Sequence, residues 1–248
     1  MTNSYGRHSD DFYVNMNLNT EMDLPSNRET VLHFFEQVQK KYPSMKNFYN
    51  RERGELVLEE DKDQGDYRWV SVEGRRICAG YVNPPSLQDV MEQHFLLAEL
   101  IPYTLSVSTL DCESINLMFG FDFNYRGNQN ALVAEALGVI PAFETLSEAE
   151  GIVPICYEPT FQFSLDDDCR TQCRLNIETR TTAYHIRTGE YPEDQLSVYL
   201  TARRYGSLQE GETYLSVLKK LQAICEDLIN RYVIENILVP LQQTIALK

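Results

Sequence analysis

Positive charge is scarce in this sequence. Lys and Arg total 22 against 37 Asp and Glu, a formal net charge of −15 over 248 residues. A nucleic-acid backbone is bound through concentrated Lys and Arg. No basic run or arm is present and acidic residues outnumber basic ones in both halves, so nucleic acid is not an expected partner. Long apolar runs are missing as well. Nowhere does the chain reach the roughly 18 uninterrupted apolar residues of a membrane helix, and its first ten residues lack the apolar stretch of a secretory signal. A cytoplasmic protein with no membrane segment is the expectation.

Motifs for common chemistries are absent too. The four histidines, His8, His33, His94 and His185, show no H-x-x-x-H or H-E-x-x-H spacing, and the chain has no P-loop, G-x-G-x-x-G or G-x-S-x-G. Residues 166–168 are three aspartates, but the spaced acids, glycine and closing glutamate of a calcium loop are missing. A hairpin turn is the simpler reading. The six cysteines are scattered through a chain long enough to form a core without cross-links, which predicts mostly free thiols. Cys169 and Cys173 lie four apart where the flanking pattern alternates like a strand, so their sulfurs diverge by about 13 Å. No metal, no cofactor and no catalytic residue is expected.

What is present is a regular alternation of elements. Hydrophobic residues make up 43% and charged residues 24%, well outside the disordered range. In residues 12–19, Phe12, Val14, Met16 and Leu18 alternate with Tyr13, Asn15, Asn17 and Asn19, which predicts a strand with one buried and one polar face. Residues 26–29 read as a capping box for a helix ending before Pro43. Extended segments come next at 48–53, 55–60, 67–72 and 75–82, then a helix capped at Ser86 and running to Pro102. The order then repeats: a strand over 115–125, a helix over 129–137, a helical turn near Ser147, extended segments at 160–165, 170–179, 182–188 and 195–204, and a long helix over 212–238.

The expected fold is therefore α+β, a tandem duplication of a βαβ4α unit over residues 1–110 and 111–248, with antiparallel curved sheets and helices on one face. In element order it resembles the TATA-binding protein fold and helix-grip folds, a likeness of plan that carries no function. If the helices cover the apolar strand face, the opposite face collects polar side chains. In the second half these are Asp122, Asn124, Arg174, Asn176, Glu178, Arg180, Tyr199 and Arg203, groups that hydrogen-bond flat or extended partners well. These residues are the candidate binding face, and Asp122, Glu178, Arg180 and His185 are the titratable cluster that could carry chemistry.

Two functions are expected from this pattern. One is a non-catalytic binding or assembly protein that meets a protein partner or small ligand on the polar sheet face. The other is a small-molecule receptor or enzyme with a pocket between the sheet and the C-terminal helix. Beyond Arg231 the apolar residues, from Tyr232 to Leu247, are too dense for one helical stripe. A homo-oligomer using the C-terminal helix is expected on that ground.

Overall fold

In this computed structural model, residues 4–51, 54–147 and 149–248 are described. The chain runs β1 (Asp11–Thr20), α1 (Arg28–Lys41), β2 (Asn47–Asn50), β3 (Leu56–Glu59), β4 (Tyr67–Glu73), β5 (Arg76–Val82) and α2 (Leu87–Thr104). It continues with β6 (Cys112–Tyr125), α3 (Gln129–Leu137), α4 (Pro141–Ser147), β7 (Thr160–Ser164), β8 (Thr171–Glu178), α5 (Ala183–Thr188), β9 (Asp194–Tyr205) and α6 (Tyr214–Leu228). A π-helical stretch, Ile229–Leu238, then leads into α7 (Val239–Ala246). Of the extended segment expected at 48–53, residues 52 and 53 lie outside the described residues.

Among the described residues, nine strands form one antiparallel sheet in the order β2-β3-β4-β5-β1-β6-β9-β8-β7. The two long strands β1 and β6 pair at its centre, with Val14 opposite Phe119 and Met16 opposite Leu117. Alternation decides which face is buried. Val14, Met16 and Leu18 of β1, Ile115, Leu117 and Phe119 of β6, and Val198, Leu200 and Ala202 of β9 are all almost completely inaccessible and belong to one core. That core is closed by Phe34 and Val38 of α1, Leu97 and Ile101 of α2, and Leu218 and Leu221 of α6. Burial of each large apolar side chain contributes about 2 kcal/mol.

Local chemistry sets most boundaries. Ser86 caps α2 by accepting from the Asp89 amide at 3.1 Å, as its sequence predicts. In α1 the cap is one residue later than the capping-box reading: Asn27 accepts from the Thr30 amide at 2.7 Å, because its carboxamide oxygen reaches the N3 donor. α2 passes through Pro102 to Thr104.

Two expectations are corrected. Residues 182–188 are not a strand. Thr182 and His185 form a reciprocal capping box and Gly189 ends the turn in the left-handed region at φ 71°, so local capping outweighs the alternating pattern. Among its described residues the second half thus carries three strands after its first, not four. The C-terminal helix does not end at residue 238 either, since the π-to-α transition falls at Val239 and Pro240 occupies the first turn of α7, where a missing N–H is best tolerated. Part of the extra apolar face of this helix is met within the chain, while Tyr232 and Leu247 stay exposed. Leu238 and Leu241 are fully buried, α7 packs on α3, and Lys248 pairs with Glu135 of α3 at 2.8 Å.

Candidate functional site

The face away from the helices is built around two glycines. Tyr13 of β1 stands opposite Gly120 of β6, and Gly120 stands opposite Tyr199 of β9. With no side chain between them, the two tyrosine rings meet edge to face, 6.4 Å between centroids. A Cβ on residue 120 would come within 2.3 Å of the Tyr13 ring. Gly80 of β5 does the same for Asn15 and Trp69, whose atoms lie 2.2 and 2.5 Å from its ideal Cβ. Aromatic rings therefore lie low across the middle of a polar sheet.

Polar side chains are arranged around these rings. The Tyr13 hydroxyl donates to the Asp122 carboxylate at 3.1 Å. Asp122 is only 6% exposed, and burial raises its pKa above the ordinary carboxylate value while bonds from Ser197 and Tyr13 oppose the rise. Burial, followed by the charge of Asp122, drives the Tyr13 phenol upward. Arg180 lies 3.7 Å from Glu178 and its guanidinium donates to Ser197 Oγ at 3.4 Å, while Asn176 donates to Glu178 at 3.1 Å. Arg203 donates to the Tyr205 hydroxyl at 2.8 Å and its guanidinium lies 5.3 Å from that ring's centroid.

Two adjoining grooves share Tyr13 and Asn15 as a common wall. The groove over the second half encloses about 510 Å3 and is lined by Arg174, Asn176, Glu178, Tyr199 and Arg203 together with Gln162 and Gln172. The groove over the first half encloses about 480 Å3 and is lined by Asp11, Arg51, Glu59, Lys62, Tyr67, Trp69 and Asp122. Both volumes fall in the range of small-ligand sites.

Of the eight candidate residues, the structure brings Arg174, Asn176, Glu178, Tyr199 and Arg203 to one groove and Asp122 to the other. Arg180 reaches toward this surface through Glu178 and Ser197. Asn124 lies opposite Gln195 at the end of β6, and its amide is held by Asp10 at 2.7 Å; it lines neither groove. His185 does not join the titratable group, because its ring accepts from the Thr182 amide at 3.3 Å as part of the α5 cap. From the first half, Tyr13 and Asn15 of the polar β1 face line both grooves, whereas Arg51, Glu59, Lys62, Tyr67 and above all Trp69 escape the sequence reading. A single tryptophan in an alternating strand with a glycine in the neighbouring hairpin strand is the signal that could have found it.

Elsewhere, Arg204 points to the helix side, where it meets Glu212 at 3.8 Å. The space between the sheet and α6 is filled by Tyr214, Val217, Leu218, Leu221 and Cys225, all buried. His94 is fully buried in α2, donates from Nε2 to the Val14 carbonyl at 3.1 Å, and has a pKa lowered to about 4 by desolvation. All six cysteines are free. Residues 166–168 turn between β7 and β8, with Asp166 accepting from the Thr171 amide at 2.7 Å. Among the described residues, no helix is long and apolar enough to cross a membrane, and no three His, Cys, Asp or Glu side chains converge as metal ligands.

No protein-family model matches the chain, and no curated protein matches it. Function is therefore argued from the grooves alone.

Proposed function

We propose that this is a cytoplasmic, non-catalytic binding protein that receives its ligand or protein partner on the polar face of the antiparallel sheet. The observation carrying this reading is the pair of adjoining grooves divided by Tyr13, with hydrogen-bonding side chains from seven strands around them. The filled layer between sheet and α6 favours this face over a sheet-to-helix pocket. Substituting Arg180 or Tyr199 by Ala tests it: partner or ligand binding weakens while the melting temperature stays within a few degrees, as is usual for incompletely buried positions. If both variants bind normally, the face is structural.

We also infer a duplicated origin for residues 1–110 and 111–248. Outward from the central pair, β1-β5-β4-β3 matches β6-β9-β8-β7, with β2 and α5 as additions to one copy each. This is the plan that suggests the TATA-binding protein and helix-grip comparison. The strong acidity argues for a ligand other than nucleic acid.

A homo-oligomer remains part of the proposal, although its motive shifts away from the C-terminal helix. Exposed apolar side chains run through α4, the segment after it and β7, among them Phe143, Leu146, Val153, Ile155 and Phe161. β7 is an edge strand without a charged residue, and such an edge can pair antiparallel with its own copy about a two-fold axis.

A further inference from the structure

We infer that the groove over the second half is an anion site, and that its ligand is a small organic molecule carrying a carboxylate or phosphate group. This rests on the polar-face reading and names the ligand class.

Charge is compensated unequally between the two grooves of this chain of net charge −15. In the first groove the cations are already neutralised, since Glu59 lies 3.7 Å from Arg51 and 3.1 Å from Lys62. In the second groove the carboxylate of Glu178 is held by Arg180 and Asn176. Arg174 and Arg203 make no ion pair among the described residues. Their positions are set by the sheet. Gln172 stands opposite Arg203 and Arg174 opposite Thr201, so the two arginines are diagonal neighbours on one face, roughly 7 Å apart at the backbone. Like charges so placed repel until an anion lies between them.

One of the two is also pre-organised. The Arg203 guanidinium is fixed by the Tyr205 hydroxyl and ring, leaving further N–H groups of its planar fork for an oxyanion. Arg174 is exposed and closes from the β8 side. The uncharged body of the ligand then lies toward Tyr199 and Tyr13, where ring faces and carboxamides are the available partners. A groove volume of about 510 Å3 suits a metabolite-sized molecule.

The full chain is titrated with citrate and with inorganic phosphate by calorimetry and amide NMR, beside the Arg174→Gln/Arg203→Gln double variant and an Arg231→Gln control. The expected result is binding at millimolar concentration or tighter that weakens with added salt. It shifts amides of β8 and β9, falls at least tenfold in the double variant and is unchanged in the control. The stronger of citrate and phosphate assigns the anion as carboxylate or phosphate. Absence of binding by both, or binding indifferent to the double variant, overturns the inference. Native mass spectrometry of the chain from its own cells separates this from failure of the broader reading. A co-purifying molecule lost in Tyr199→Ala but kept in the double variant leaves the polar face standing and removes the anion site, whereas one kept in both variants removes the two together.

Discussion

The Tyr13 hydroxyl and the Asp122 carboxylate are joined by a 3.1 Å hydrogen bond across the seam where β1 meets β6. The bond ties the two halves of the chain together on the polar face, at the wall between the grooves. Burial is what raises the Asp122 pKa above its value in an unfolded chain. A raised carboxyl contributes stability below its unfolded pKa of 3.8 and loses it as pH climbs through the folded value. Asp122→Asn keeps an acceptor for Tyr13 and removes the buried charge. Its urea midpoint at pH 7 should equal or exceed that of the parent, and any advantage should shrink as pH falls toward 4; a large loss at pH 7 contradicts this account.

His94 gives the opposite pH dependence. Its folded pKa of about 4 lies below the ordinary 6.5, so the unfolded chain binds the proton first and stability falls as pH drops from 6.5 to 4. The loss from this residue should reach about 2 kcal/mol by pH 5. Chemical denaturation between pH 8 and 5 checks it, with His94→Gln as the comparison in which that slope disappears.

Gly80 is held open by its neighbours Trp69 and Asn15. A methyl group at this position meets the indole nitrogen at 2.5 Å, so Gly80→Ala should push the ring off the sheet and cost about 1–3 kcal/mol. Trp69 is the sole tryptophan, and its emission spectrum reports the displacement directly. An unchanged spectrum in a folded variant means that Asn15, not the indole, gives way.

Arg204 is 7% exposed and has Glu212 as its carboxylate partner. Glu212 also accepts from Lys220 at 2.9 Å and from the Gln209 amide at 3.1 Å, which holds its pKa below the usual value, Lys220 first. Glu212→Ala leaves Arg204 buried without its partner and should destabilise by about 3 kcal/mol. Lys220→Ala, which removes only the exposed partner, should cost under about 1 kcal/mol. Equal losses would place the energy in the lysine.

Light scattering on the intact chain should give a dimer, and Phe161→Asp on the edge strand should give a folded monomer. A monomeric intact protein refutes the oligomer. A dimer that persists in Phe161→Asp but dissociates on truncation after Arg231 returns the interface to the C-terminal helix.

The alternating strands and the capped helices are readable in the sequence because each is a local pattern. Phe12 to Asn19 alternates strictly, and Ser86 and Asp89 mark a helix start within four residues. The polar face comes from the same alternation, which is why Arg174, Asn176, Glu178, Tyr199 and Arg203 are legible in the sequence alone. Other features are set by partners that periodicity does not reveal. Residues 182–188 alternate like a strand, yet the Thr182 and His185 cap turns them into α5, so His185 leaves the sheet. Part of the tail's apolar density is absorbed by a change of helical spacing. In the π-helical stretch, with roughly 4.4 residues per turn, Ile229, Val233 and Leu238 share one buried face, and α3 packs against α7 beyond it. The grooves belong wholly to the tertiary structure: only strand register places Gly120 between Tyr13 and Tyr199 and sets Arg174 diagonal to Arg203, because hydrogen-bonded pairing of β1, β6, β8 and β9 brings together residues that lie far apart along the chain.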